Sequence, residues 1–425
     1  MLMKTPIFGP GTRRVLAASL VGTSVEFYDF YIYATAASLV FGPMFFPSKD
    51  VAVQQLSSLA TLAVAFIARP LGAAVFGHFG DRVGRKSTLV ASLMLMGGST
   101  VAIAFLPGYA QVGWLAPVLL CILRFGQGFG LGGEWGGAAL LAVENAPPAW
   151  RARFGMFPQL GAPVGFIFAN GLFLLLSLLL TPDQFKAWGW RLPFLASSLL
   201  VAVGLWVRLK LHETPAFAQA MAEAPPSQVP LGEVVKRYPL RLVGGIFSAV
   251  ICFALFYLTT TFTLSHGVTV LHYNRSAFLA AQIGAILFMA AGIAVAGWWS
   301  DRQTPRIVLM AGSVLAVVCG FLIAPMMQAG SLGMIFAFLS LSLFVMGLVY
   351  GPLGAFLPHL FPARVRYTGA SAAFNVGGVI GGGFTPFAAQ ALANKVGGLA
   401  PVGWCLSLAA LVSLLALIPL KREEA

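Results

Sequence analysis

The chain has 425 residues, 59% of them hydrophobic and 9% charged, and its mean hydropathy is +0.87. Soluble proteins carry roughly 25% charged residues, so this composition excludes a water-soluble globular domain. A formal net charge of +13 would point to nucleic acid in a soluble protein, but in a chain this apolar it points to basic loops on the cytoplasmic side of a membrane.

A hydrocarbon core of ~30 Å takes about 20 apolar residues per helix. By that ruler the chain predicts twelve spans: 15–43, 55–78, 87–107, 113–143, 154–181 and 190–209, then 240–268, 276–299, 306–326, 331–357, 368–393 and 399–419. The first span is long and carries two carboxylates, unlike the core of a cleavable signal peptide. It holds Glu26 and Asp29 on one helix face, three residues apart, and Tyr28, Tyr31 and Tyr33. Arg69 lies in the second span. The loop that follows it reads Gly77-His78-Phe79-Gly80-Asp81-Arg82-Val83-Gly84-Arg85-Lys86.

The fourth span carries Arg124, Glu134 and Trp135 and is paved with Gly126, Gly128, Gly130, Gly132, Gly133, Gly136 and Gly137. Small residues let helices approach closely, for packing or for sliding. Glu144 and Pro147-x-x-x-Arg151 follow. Residues 210–239 are the longest polar stretch, punctuated by Pro215, Pro225, Pro226 and Pro230. They read as a cytoplasmic linker between an N-terminal bundle, 1–209, and a C-terminal bundle, 240–425. In the second half, Gly297-x-x-x-Asp301-Arg302 repeats the first loop 220 positions later, and His359 with Pro362-x-x-x-Arg366 repeats Glu144–Arg151. The eleventh span carries Asn375 and a second glycine cluster, Gly377 to Gly383. A charged turn repeated at half the chain length marks a duplicated membrane bundle, the architecture of a transporter.

With the N-terminus in the cytoplasm, nineteen Lys and Arg fall in inner loops, five in outer loops and two inside spans. That excess places both termini in the cytoplasm. Of thirteen acids, only Glu26, Asp29 and Glu134 lie at membrane depth, all in the first half. Counted at 1.5 Å per residue from the inner ends, Glu26, Arg69 and Glu134 lie about 13–17 Å deep, and Asp29 and Arg124 roughly 21–28 Å. Ionisable groups there are expensive and usually functional. Three negative and two positive charges leave one acid unpaired, which a proton would neutralise. The set reads either as a proton-coupling relay or as a static network that orders the helices. Tyr28, Tyr31, Trp135 and Asn375 are candidate cavity residues, with helix packing as the other reading for each.

The four cysteines lie in apolar stretches and read as small buried hydrophobes. Neither a metal-ligand spacing, a nucleophile–base constellation nor a phosphate-binding loop is found. The expectation is a non-enzyme with no cofactor beyond the coupling proton.

The loop Gly77-x-x-x-Asp81-Arg82-x-Gly84-Arg85-Lys86 resembles the signature loop of the major facilitator superfamily. Four further stretches, Glu26-Phe27-Tyr28-Asp29-Phe30, Arg69-Pro70-Leu71-Gly72, Arg124 to Gly137 and Leu360 to Gly369, resemble its metabolite:proton symporters, the shikimate, alpha-ketoglutarate and dicarboxylate-type carriers. The resemblance implies an all-α fold of twelve transmembrane helices in two pseudo-symmetric six-helix bundles. It implies an inner-gate latch of Gly77, Asp81, Arg82, Gly84, Arg85 and Glu144, copied at Asp301, Arg302 and Arg366. It also implies a proton-linked pair of Asp29 and Arg124. His359 stands where many members carry Glu. Gly161-Ala162-Pro163-Val164-Gly165 departs from the antiporter pattern, and no charged coiled-coil tail follows the last span, which argues against an osmosensor.

The expected function is proton-driven import of a small organic acid or related metabolite across a bacterial-type inner membrane by a monomer. Its partners would be substrate and lipid, with no nucleic acid. Proton coupling falls to Asp29, Glu26 and Glu134, and substrate binding to Arg124, Arg69, Tyr28, Tyr31, Trp135 and Asn375. A zwitterion carrier and an exporter or antiporter are the alternatives.

Overall fold

The computed structural model describes residues 10–83, 85–132, 134–144, 146–210, 230–362, 365–396 and 398–420. Backbone amides in lipid must be satisfied within the segment, and the twelve predicted spans are all helical. In the first half these are α1 (Pro10–Ala36), α2 (Val51–Val83), α3 (Arg85–Ile103), α4 (Leu115–Leu131, then Glu134–Glu144), α5 (Arg151–Leu179) and α6 (Leu192–Lys210). In the second they are α7 (Pro239–Tyr257), α8 (Arg275–Arg302), α9 (Pro305–Met327), α10 (Leu332–Tyr350, then Leu353–His359), α11 (Arg366–Gly378) and α12 (Ala400–Leu417). Ten of these spans are long and apolar enough to cross a membrane, and α3 has a shorter apolar stretch, Val90–Ile103. The end of the expected linker is itself helical, over Pro230–Arg237.

Three helices depart from regular winding. α1 passes into a π segment at Ala37–Phe41, α7 into one at Leu258–Phe262 and α11 into one at Val379–Phe384, and each then resumes as α-helix. In α1 and α11 the cause is proline: Pro43 and Pro386 lack the N–H that would reach the carbonyl four residues back, which lies within the π segment. In α7 hydroxyls compete for the ladder. Thr260 donates to the Phe256 carbonyl at 2.7 Å and Thr263 to the Thr259 carbonyl at 2.6 Å, a bond that bends helices.

Glycines set the closest crossings. A Cβ on Gly72 would run into the Phe129 carbonyl, and one on Gly128 into that of Ala65, so α2 and α4 touch backbone to backbone. The equivalent pair in the second half is built alike: a Cβ on Gly292 would meet the Phe344 carbonyl, and one on Gly347 that of Met289.

The halves meet at both faces of the membrane domain. At one face Asp301, at the end of α8, accepts from the backbone N–H groups of Ala152 (2.8 Å) and Arg153 (3.3 Å) at the start of α5. At the opposite face Ser38 donates to the Thr261 carbonyl at 3.2 Å, Gln55 bonds Thr269, and the Arg275 guanidinium lies 3.8 Å over the Phe185 ring. The two halves are therefore held together at both faces.

Candidate substrate and proton site

A central cavity of about 610 Å³, counting all space between atoms and its mouth, lies between the halves. The first half lines it with Glu26, Phe27 and Tyr31 from α1, Arg69 from α2, and Leu131 and Trp135 from α4. The second half adds Cys252, Phe253, Phe256 and Tyr257 from α7, Met346 and Tyr350 from α10, and Phe374 and Asn375 from α11. All the formal charge comes from the first half. The second supplies rings, a thiol, a thioether and one amide.

Arg69 is 8% exposed, and its guanidinium lies 4.3 Å over the Phe30 ring and 4.7 Å over Phe66. Those ring faces offset part of its desolvation. Its Nε has no hydrogen-bond partner. Across the cavity, Trp135 stacks flat on Phe374 with ring centroids 3.6 Å apart, and its indole N–H donates to Gln159 at 3.3 Å. Asn375 donates to the Gly132 carbonyl at 3.1 Å. It therefore joins the two halves and also lines the cavity.

Behind this cavity lies a buried charged cluster within the first half. Asp29 is fully buried; one carboxylate oxygen accepts from Ser197 at 2.5 Å and the other has no partner. Arg124 is equally buried. It packs 4.2 Å over Phe30 and 3.9 Å over Tyr33, and its Nε and Nη2 are without partners. The two are neighbours without forming a direct ion pair among the described residues. Gln127 stands between them: it accepts from Arg124, and its amide donates to the Asp29 carbonyl and to Thr100, each at 2.9 Å. The Phe30 ring touches both guanidiniums and so partitions the two charged pockets.

Several expected residues lie off the cavity wall. Arg124 packs over Phe30 and Tyr33 and bonds Gln127 instead. Tyr28 turns to α6 and donates to the Pro193 carbonyl at 2.8 Å. Glu134, 3% exposed, accepts from Ser92 of α3 at 2.7 Å. Tyr33 is fully buried and donates to Thr61 at 2.7 Å. Rotation about the helix axes decides each case, because apolar neighbours on every side leave no polar stripe to mark the inward face. Gln127 was legible one turn after Arg124, whereas nothing in sequence marked Tyr257, Tyr350 or Phe374 as cavity residues.

Of the latch, Asp301 caps the start of α5 and pairs with Arg153 at 2.9 Å. Carboxylates are favoured at that positive helix end. Arg302 packs 3.7 Å over Trp298, and Arg366 donates to the Phe361 carbonyl at 3.3 Å. The side chains of Gly77, Asp81, Arg82, Gly84, Arg85 and Glu144 lie outside the described residues.

Two bundles enclosing a charged central cavity define a membrane transporter. The Major Facilitator Superfamily profile matches residues 19–386. The inner membrane metabolite transport protein YhjE of Escherichia coli is 49% identical, over 95% of this chain and 93% of its own. The shikimate transporter of the same species is 37% identical over 91% and 89%, and its proline/betaine transporter 31% identical over 96% and 83%. A partially occluded inward-open structure of the E. coli xylose transporter XylE shares the fold, with a TM-score of 0.75 at 15% identity over 97% and 99% of the two chains. The chain belongs to the Major Facilitator Superfamily; it is a multi-pass membrane transporter and not an enzyme.

Proposed function

We propose that this carrier is a proton-coupled symporter that imports a small organic acid or related metabolite by alternating access. It would sit in a bacterial-type inner membrane with both termini cytoplasmic, the orientation that the basic loops favour. The observation that carries the reading is Arg69: a buried guanidinium on the cavity wall with an unused N–H, suited to a substrate carboxylate. The shikimate transporter among its relatives accords with an acid substrate.

Coupling is assigned to the pocket behind it. Asp29 is fully buried with one carboxylate oxygen that has no hydrogen-bond partner among the described residues. Protonation removes that buried charge next to Gln127, which bonds both the Asp29 backbone and Arg124. The charge change reaches the cavity through Phe30, which both guanidiniums contact. Glu26 faces the cavity directly and offers a second proton site next to the substrate.

A zwitterionic osmolyte or amino acid is the second reading, favoured by the aromatic wall of Tyr31, Phe256, Tyr257 and Tyr350. Rings attract a quaternary ammonium, and the proline/betaine transporter is a relative. An exporter or antiporter shares the fold. Uptake into proteoliposomes under an imposed pH gradient separates these. Concentrative uptake of a carboxylate, abolished by a protonophore, is the expected result. Uptake of betaine with no competition by acids supports the second reading and overturns the first, and accumulation insensitive to the gradient overturns symport.

A further inference from the structure

Beside the central cavity is a smaller hollow between α1, α5, α7 and α8, and Tyr31 belongs to the walls of both. Two buried amides, each 1% exposed, line it: Asn170 of α5 and Gln282 of α8. Each uses one end and leaves the other idle. Asn170 accepts from Thr35 at 2.6 Å through Oδ1, and its Nδ2 has no partner. Gln282 donates to the Thr260 carbonyl at 2.7 Å through Nε2, and its Oε1 has no partner. The engaged ends hold both amides in orientation. The hollow therefore offers the amide N–H donors of Asn170 and the carbonyl acceptor of Gln282, on opposite halves of the carrier.

A group that enters must satisfy both. A carboxylate oxygen would meet the Gln282 carbonyl and be repelled. An ammonium would meet the Asn170 N–H. A methyl group satisfies neither, and buried polar atoms left unpaired are costly. A hydroxyl both donates and accepts. The hollow also lies at a useful distance. The Arg69 guanidinium sits over Phe30, and from Phe30 to Thr35 is about 7–8 Å along the helix, the scale of one small acid.

We propose that Asn170 and Gln282 form a hydroxyl-reading subsite, and that the substrate is a hydroxylated carboxylic acid. Its carboxylate lies at Arg69, and a distal hydroxyl bridges the two amides. This rests on the organic-acid reading above and narrows it. Because the two amides belong to different halves, a bridging hydroxyl also draws the halves together around the substrate.

The test is binding to the purified full chain, followed by thermal shift and calorimetry, of ring and open-chain carboxylates supplied as matched pairs with and without a distal hydroxyl. The hydroxylated member should bind roughly tenfold or more tightly, as expected of a site with polar groups built to meet it. Asn170→Leu and Gln282→Met should erase that preference while the deoxy acid binds as before, which also reports an intact fold and an intact Arg69 end. In Asn170→Leu, the Thr35 hydroxyl can turn to a carbonyl of its own helix. Equal affinity for both members in the unmodified chain overturns the subsite, leaves the acid carrier standing, and assigns the hollow to water. A preference that survives both substitutions does the same. Binding of neither acid, with zwitterions bound, overturns both readings. If a variant fails to fold, Asn170→Ser or Gln282→Ser replaces it in the same comparison, with loss of the preference expected and its survival overturning the subsite.

Discussion

Asp29 and Arg124 lie in one buried pocket and yet do not pair. Each ionised group at membrane depth costs a few kcal/mol, and Gln127, Ser197 and the faces of Phe30 and Tyr33 compensate only some of their atoms. A static network would be expected to close its ion pairs, because unpaired buried charges are the expensive case. The open carboxylate oxygen of Asp29 fits a group that exchanges a proton. Asp29→Asn should therefore keep substrate exchange across the membrane while losing pH-driven accumulation, so that substrate only equilibrates. Counterflow and gradient-driven uptake in the same vesicles measure the two separately. Full accumulation by the variant would remove Asp29 from the coupling step.

At the scale of elements, the two halves use one device twice. α2 against α4 and α8 against α10 both cross on glycines with a carbonyl where a Cβ would stand. Gly72→Ala and Gly347→Ala should each lower stability by about 1–3 kcal/mol, because the added methyl must push a backbone rather than a side chain. Gly98→Ala is the control: nothing lies within 4 Å of its would-be Cβ, and helix propensity favours alanine by up to about 1 kcal/mol. Thermal unfolding in detergent ranks the three, and equal melting of Gly72→Ala and Gly98→Ala would refute the close crossing. The π segments follow the same duplication. Those of α1 and α7 occupy corresponding places in the two halves, and Ser38 of one donates to the Thr261 carbonyl of the other. Local π winding leaves the backbone ladder loosely committed there, at the point where the halves touch.

For the whole molecule, contacts at both faces mean that either must part before substrate can pass. Opening one face is compatible with keeping the other. A reducible thiol cross-linker joining Gln55→Cys to Thr269→Cys should stop net transport, and so should one joining Arg153→Cys to Asp301→Cys at the other face. Reduction should restore both. Undiminished transport with either pair bridged would show that the contact is not a gate. The experiment uses a chain with its four native cysteines replaced, since Cys252 lines the cavity and Cys121 and Cys405 are only partly buried.

Sequence alone determined the helix count, because apolar stretches of about 20 residues match one helical crossing each, twice the length a barrel strand needs. It also determined that the deep acids lie only in the first half, since thirteen acids can be placed one by one. Tertiary structure decided which of those charges meets substrate. Arg69 and Arg124 are both deep arginines by sequence, yet Arg69 lines the shared cavity while Arg124 is fully buried over Phe30 and Tyr33 and bonds Gln127. Likewise Asn170 and Gln282 are ordinary amides until α5 and α8 bring their idle ends to one hollow. In helices apolar on every side, the rotation about each axis is set by how neighbours pack, and that information resides in pairs of helices rather than in any one of them.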